Sequence, residues 1–240
     1  MIIIAHRGAS AYAPENTMAS FRLARAQKAR GIELDVHFSA DGKIVVIHDF
    51  TLNRTGGADG PVAAKTLAEL RELDFGAWFG YGNEMIPELR DVLDFISQTD
   101  MILNIELKID PLAYDAGLTG KTAELVTETG LLGRVIVSSF YHPALSEIKT
   151  YNAGIKTGIL YVAHIDRVWD YAASCGADYI HPMHLNLTKE VVDGCHARGI
   201  GVNAWTADSE ADIMRLLDIG ADAVITNKPD IALACTTLNG

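Results

Sequence analysis

The sequence is poor in cysteine and in basic residues, and it has no long apolar run. Its 3 cysteines, Cys175, Cys195 and Cys235, lie far apart and show no Cys-x-x-Cys spacing. This distribution argues against a disulfide framework and against a zinc site built from cysteines. It is typical of reduced thiols, so we expect a cytoplasmic protein.

The shortage of basic residues limits the partners of the chain. Lys and Arg total 20 against 31 Asp and Glu, and the formal net charge is −11. Because nucleic acids and anionic membranes select clustered Lys and Arg, we expect neither as a partner. The opening MIIIAHRG is too short for a signal peptide or a membrane span, and later apolar runs have only the length of strands. We therefore expect no membrane span, and the sequence leaves homo-oligomer formation open.

Short apolar runs alternate with helical segments along the whole chain. The 240 residues are 49% hydrophobic, which is enough for one large core. Eight alternating strand and helix units predict a single (β/α)8 TIM barrel that spans residues 1–240. The predicted strands are residues 2–5, 32–36, 101–107, 134–139, 155–161, 177–182, 200–205 and 221–227.

An additional strand follows the second one. Residues 31–50 read GIELDVHFSADGKIVVIHDF, and Asp41-Gly42 between two apolar runs predicts a β-hairpin with a two-residue type I′ turn. Residues 43–49 then form a hairpin arm, with Asp35 directly opposite His48. The alternative, a parallel strand at 43–49, requires a dozen or more connecting residues, and only about six are present.

The segment from about residue 50 to 87 contains glycine-rich and aromatic stretches but no barrel strand. We expect it to form a small insertion at the C-terminal mouth of the barrel. We interpret its aromatic patch, residues 75–81, as the core of this insertion, and a role as a lid over the mouth stays open.

Polar residues cluster at the predicted strand ends, where TIM barrels place their active sites. Three carboxylates from neighbouring strands form a set of oxygen ligands suited to Mg²⁺ or Ca²⁺. Two histidines flank them, and two cationic side chains add positive charge suited to an anion. Together these groups indicate phosphoester hydrolysis. The residues are the carboxylates Glu33, Asp35 and Glu106, the histidines His6 and His48, and the cations Arg7 and Lys108.

Seven blocks in order resemble the glycerophosphodiester phosphodiesterase family over almost the entire chain: HRGAS…APENTMASF, GIELDVHFSADGKIVVIHDFTLNRT, IPELRDVL, NIELK, VSSF…HP, VNAWT and GADAVITNKPD. The resemblance implies a TIM barrel that hydrolyses small glycerophosphodiesters to an alcohol and glycerol 3-phosphate with one divalent cation, Mg²⁺ or Ca²⁺. It also implies roles for seven residues. Glu33, Asp35 and Glu106 would bind the metal, His6 and His48 would be general acid and base, and Arg7 and Lys108 would hold the phosphate.

Several alternatives stay open at this point. Trp205 lies at a strand end, where its ring would either form a wall for the glycerol or pack in the core. His37 is expected to be solvated, and His181 to be a loop or packing residue. A phospholipase D-like hydrolysis of lysophospholipids is a close alternative activity. A Schiff-base lyase that uses Lys108 is a more distant one.

Overall fold

Eight parallel strands close into a barrel in the computed structural model, which describes residues 1–110 and 116–237. Each strand pairs with its neighbours, and β1 closes the ring by pairing with both β2 and β9. This architecture confirms the predicted (β/α)8 TIM barrel. The barrel strands are β1 (Ile2–His6), β2 (Gly31–Phe38), β4 (Ile102–Leu107), β5 (Val135–Ser139), β6 (Lys156–Tyr161), β7 (Tyr179–Pro182), β8 (Gly201–Ala204) and β9 (Ala223–Thr226). A short extra strand, β3 (Ile44–Val46), pairs antiparallel with β2.

Helices cover the outside of the barrel, with one exception. The helices are α1 (Met18–Ala26), α2 (Leu67–Leu70), α3 (Leu89–Ser97), α4 (Ala116–Glu128), α5 (Pro143–Tyr151), α6 (Val168–Ser174), α7 (Lys189–His196), α8 (Glu210–Asp218) and α9 (Pro229–Thr237). The exception is the short α2, which lies in the segment between β3 and α3. Threonine or serine side chains cap the start of several helices, for example Thr17 at α1 and Ser209 at α8. Within the described residues, none of these helices has the length and apolar character needed to cross a membrane.

Helix α3 shows why these segments fold onto the barrel. Its apolar residues recur every three or four positions, which places them on one helical face. That face is buried in the main apolar cluster between strands and helices. Burying each of these side chains contributes about 1.5–3 kcal/mol relative to exposure. The buried residues are Leu89, Val92, Leu93 and Ile96.

The inner face of the barrel is polar near the mouth. Side chains alternate along each strand, so Leu34 and Val36 of β2 enter the apolar layer beneath the helices while Glu33 and Asp35 point inward. Parallel pairing aligns these residues with neighbours at the same height. Glu33 lies beside His6 of β1, and Asp35 lies beside Glu106 of β4. Strand register therefore brings the polar residues together.

The hairpin is present, but its predicted turn is wrong. Ser39 pairs with Lys43, since the Ser39 amide donates to the Lys43 carbonyl at 2.9 Å. The loop therefore has three residues and ends in Gly42, whose φ is +68°. Asp41 does not have the positive φ that a type I′ turn requires. The third loop residue shifts the pairing by one position, so His37 faces Val45.

This shift changes which residues face the carboxylates. Ile47, and not His48, lies opposite Asp35, with its amide donating to the Asp35 carbonyl at 3.0 Å. His48 therefore lies beyond the end of β3 and reaches the mouth from a loop. His37 is buried and not solvated as predicted, and its Nε2 donates to the His48 carbonyl at 3.0 Å. The buried His37 thus supports the backbone of His48.

The segment between β3 and α3 packs over the hairpin around a small apolar cluster of its own. It contains α2 and two short 3₁₀ helices, Val62–Ala64 and Ala77–Phe79. Phe75 is buried in this cluster, whereas Trp78 and Tyr81 are exposed. The aromatic patch is therefore only partly core. The buried members of the cluster are Val45, Ile47, Leu52, Val62, Leu67, Leu70, Phe75 and Ile86.

Gly42→Ala tests the observed turn. A Cβ at this position would meet only the Lys121 Nζ, at 4.0 Å, so the cost arises from the left-handed backbone and not from a clash. We expect a loss of about 1–2 kcal/mol in the free energy of unfolding, measured by urea denaturation. Gly133→Ala is the matched control, because that glycine has open space and no positive φ. Equal stability of the two variants would contradict the three-residue loop.

Candidate active site

Three buried carboxylates form the floor of the mouth. Glu33 and Asp35 come from β2 and Glu106 from β4, and one oxygen of each lies within 4.8 Å of the others. Asn16 holds Asp35 in place, with its Nδ2 donating to Asp35 Oδ2 at 2.8 Å. This arrangement follows from strand alternation and register, and it brings together the three carboxylates that the sequence analysis grouped.

Two cationic side chains contact these carboxylates. Arg7 Nε lies 3.3 Å from Asp35 Oδ2. Lys108 Nζ donates to Glu106 Oε1 at 2.7 Å and lies 3.6 Å from Asp35 Oδ1. Burial lowers the pKa of Lys108, but Glu106 and Asp35 outweigh it and the pKa is raised. A Schiff-base lysine needs a lowered pKa, so this environment argues against the lyase alternative.

The backbone at Arg7 has an uncommon conformation. Its φ is +55°, a left-handed value that costs about 1–2 kcal/mol for a residue with a Cβ. The surrounding hydrogen bonds hold it there. The Arg7 amide donates to Glu33 Oε2 at 2.9 Å, and the Ser20 hydroxyl donates to the Arg7 carbonyl at 2.9 Å. Strain maintained in this way is characteristic of functional sites.

The carboxylates repel one another. Burial, together with Asp35 and Glu106, raises the pKa of Glu33 well above its usual value. Burial and Asp35 raise the pKa of Glu106 to about 7. Burial alone would also raise the pKa of Asp35, but Arg7 and Lys108 lower it below its usual value. Such crowded negative charge is the electrostatic environment that a bound cation relieves.

His6 belongs to a hydrogen-bond chain on one side of the carboxylates. Its Nδ1 donates to Asn227 Oδ1 at 2.7 Å, and Asn227 Nδ2 donates to Asp208 Oδ2 at 2.6 Å. Because the Asp208 carboxylate can only accept, the orientation of the Asn227 amide is fixed, and so is the tautomer of His6. The lone pair of His6 Nε2 then faces the mouth, 4.0 Å from Glu33 Oε2. Burial and Arg7 lower the pKa of His6 to about 4.

His48 lies at the other side of the mouth and has a different partner. Its Nδ1 donates to Asp49 Oδ1 at 2.6 Å. Burial lowers the pKa of His48 even though the nearby Asp35 raises it. A carboxylate partner stabilises the protonated imidazole, as in catalytic triads, whereas the amide of Asn227 cannot do so to the same degree. The two histidines therefore differ in the charge state that their partners support.

These groups line a cleft of about 260 Å³ whose opposite wall is apolar. The Trp205 ring is part of this wall and stacks edge-on against Phe140, with centroids 5.7 Å apart. Trp205 Nε1 donates to the His181 carbonyl at 2.7 Å, so the ring is fixed. His181 itself is buried inside the barrel beside Asn203, which confirms it as a packing residue. The apolar wall consists of Phe140, Leu160, Trp205 and Ile225.

The structure brings all eight predicted site residues to one mouth. Seven line the cleft, and Asp35 lies beneath them among its partners. Sequence reasoning missed the residues that hold them, namely Glu15, Asn16, Asp49, Arg54, Asp208 and Asn227. The sequence does point to Asn227, because it follows the end of β9 and TIM barrels place their active sites at such strand ends. Asn16 directly precedes Thr17, the residue that caps α1, and its position in the sequence does not indicate its contact with Asp35.

Comparisons with known proteins agree with this geometry. The model of the glycerophosphoryl diester phosphodiesterase family matches residues 6–231. A glycerophosphodiester phosphodiesterase from Caldanaerobacter subterraneus is 38% identical, with 95% of each chain covered. One from Bacillus altitudinis is 36% identical, with 96% of each chain covered.

Solved structures also resemble the chain over almost its full length. A phosphodiesterase from Oleispira antarctica in complex with the product sn-glycerol-3-phosphate has a TM-score of 0.88 at 33% identity, covering 99% of this chain and 97% of its own. A glycerophosphodiester phosphodiesterase from Agrobacterium tumefaciens has a TM-score of 0.85 at 28% identity, covering 98% and 99%. The chain belongs to the glycerophosphoryl diester phosphodiesterase family and is a phosphoric diester hydrolase.

Proposed function

We propose that this chain hydrolyses glycerophosphodiesters to an alcohol and glycerol 3-phosphate, with one divalent cation and two histidines as general acid and base. The observation that carries the proposal is the buried trio of carboxylates between His6 and His48 at the barrel mouth. The product in the related Oleispira antarctica structure supports the same chemistry. We also propose that the whole chain acts as one catalytic domain in the cytoplasm. The absence of disulfides among the described cysteines supports this location.

The carboxylates fit a hard divalent cation, Mg²⁺ or Ca²⁺. All three are oxygen donors, and Asp35 Oδ1 accepts no hydrogen bond in the part of the chain that the structure describes. Burial, together with the neighbouring carboxylates, raises the pKa values of Glu33 and Glu106. Glu33, Asp35 and Glu106 would therefore hold the ion. When bound, it supplies positive charge that polarises the phosphoryl group.

Arg7 and Lys108 would hold the phosphate. Both side chains line the cleft while they contact the carboxylates, so they place positive charge beside the space that the substrate enters. Arginine binds phosphate through its planar fork, and lysine acts as a point charge. Trp205 would form the wall against which the glycerol or the leaving alcohol lies.

The two histidines would divide the proton transfers. His6 Nε2, with its free lone pair, accepts a proton from the nucleophile. The nucleophile is water or the neighbouring hydroxyl of the glycerol. His48, with Asp49 supporting its protonated form, donates a proton to the leaving alkoxide. The assignment rests on the different hydrogen-bond partners of the two rings.

A second candidate function is hydrolysis of lysophospholipids at the same site. Three apolar side chains near this wall are exposed, since Phe140, Val162 and Leu185 are 46%, 50% and 70% exposed. These residues follow the adjacent strands β5, β6 and β7. An acyl chain on the substrate would lie along such a stripe.

A substrate screen tests the proposal and separates the two candidates. We expect glycerol 3-phosphate, measured with a coupled dehydrogenase, from at least one of glycerophosphocholine, -ethanolamine, -glycerol and -inositol in Mg²⁺ or Ca²⁺. The matched control is Glu106→Gln, which keeps the shape of the side chain. Turnover of lysophosphatidylcholine alone, measured as released choline because the other product is acylated glycerol phosphate, would favour the second candidate. No product above the Glu106→Gln background from any of these substrates would contradict the proposal.

A further inference from the structure

Arg54 binds two carboxylates at once. It lies in the loop after β3, and its side chain is 40% exposed. Nη1 and Nη2 donate to the two oxygens of Glu15, each at 2.7 Å. Nε and Nη2 donate to the two oxygens of Asp49, at 2.7 and 3.1 Å. Two edges of the planar Arg54 guanidinium therefore each bind both oxygens of one carboxylate.

Each of these carboxylates also holds one side chain of the mouth. Asp49 Oδ1 accepts from His48 Nδ1 at 2.6 Å. Glu15 Oε1 accepts from Arg7 Nη1 at 2.9 Å. Arg54 thus joins the loop after β1, which carries Arg7 and Glu15, to the loop after β3, which carries His48 and Asp49.

We infer that Arg54 is a positioning residue that sets the orientation of His48 through Asp49 and of Arg7 through Glu15, a role that rests on the proposed functions of His48 and Arg7. His48 needs such support because it lies beyond the regular hairpin, in a loop. Without Arg54, Glu15 and Asp49 would face each other without a shared cation and would separate. The rings and donors that they hold would then lose their fixed geometry, on which proton transfer depends.

Lysine cannot replace this arginine. A lysine ammonium is a point charge without a planar fork, so it cannot bind both oxygens of two carboxylates. Trp78 from the insertion supports the geometry, since the Arg54 guanidinium lies over its indole ring at 5.7 Å. This contact gives exposed Trp78 a role that the apolar core of the insertion does not explain.

A double-mutant cycle in kcat tests the inference. We expect Arg54→Ala to lower kcat about 10–100-fold, the usual effect of removing a residue that orients a functional ligand. In a His48→Ala background the same change should cost a clearly smaller factor, because only its effect on Arg7 is left. Equal factors in the two backgrounds would overturn the inference. Full activity of His48→Ala itself would instead refute the proposed role of His48.

Two further variants separate positioning from folding. Arg54→Lys keeps the charge, and we expect it to fold with a Tm near that of the parent while kcat stays within threefold of that of Arg54→Ala. Recovery of parental kcat by lysine would show that charge alone suffices and would overturn the inference. Arg90→Ala is the control, since Arg90 forms one exposed ion pair with Glu128 on the outside of the barrel. It should leave kcat unchanged.

Discussion

Replacing either His6 or His48 with alanine is expected to lower kcat on a glycerophosphodiester by about 10²–10⁴-fold, the contribution of a positioned acid or base. The two losses should respond differently to the leaving group. A nitrophenolate leaves without a proton, so His48→Ala should recover most of its activity on a glycerophosphodiester with a nitrophenyl group. His6→Ala should stay impaired, because the attacking hydroxyl still has to lose its proton.

The measurement is kcat for both variants on both substrates, with His196→Ala as control. His196 lies on the outside of the barrel and pairs with Asp222. If the two variants lose equal factors on both substrates, the assignment of acid and base is wrong. If His6→Ala is the variant that recovers, the roles are reversed, and the hydrogen-bond partners do not decide them.

Chelation is expected to abolish hydrolysis, and added Mg²⁺ or Ca²⁺ to restore it. The reason is that the mouth then contains three buried carboxylates without the ion that offsets their repulsion. Asp35→Asn should lose the same activity in the presence of metal. Calorimetric titration should find one ion per parent chain and no binding to this variant. Full turnover in a metal-free sample would refute the metal dependence.

The stability of the metal-free protein provides an independent readout for the metal site. Glu106→Gln removes one of the crowded carboxyl groups, so we expect the metal-free variant to unfold at no lower urea concentration than the parent. Loss of activity then cannot be attributed to unfolding. Glu124→Gln on the exposed face of α4 removes the same charge elsewhere and should change neither ion affinity nor turnover.

The sequence predicted the barrel and the position of its site because both depend on periodic features. Side-chain alternation along β2 places Glu33 and Asp35 on the inner face of the barrel. Parallel pairing places His6 beside Glu33 and Glu106 beside Asp35. These relations need only the alternation of side chains along each strand and the parallel pairing of neighbouring strands. The strand-end rule for TIM barrels then predicts that they share one mouth, where the structure brings them together.

The predicted hairpin register was wrong because an Asp-Gly pair occurs in both two-residue and three-residue loops. The Ser39 side chain decides between them here. Its hydroxyl accepts from the Lys43 amide at 3.0 Å and donates to Asp41 Oδ1 at 2.6 Å. Such a side-chain contact has no periodic signature.

The supporting residues were missed for a related reason. Glu15 and Arg54 meet across two loops that are separated by 39 positions. Asn16 reaches Asp35 only because its own backbone is left-handed, with φ of +56°. Loop conformations of this kind depend on tertiary contacts, so their partners cannot be deduced from spacing alone.

The division of the cleft into a charged side and an apolar side has a consequence for how relatives diverge. The charged groups come from β1, β2, β4 and the loop after β3, whereas the apolar wall comes from β5, β6, β8 and β9. Under the proposed function, substitutions at Phe140 or Leu160 would therefore alter the surface that a head group meets without touching a proton-transfer or ligand residue. Natural selection can change substrate preference on one half of the barrel while the reaction is inherited intact on the other.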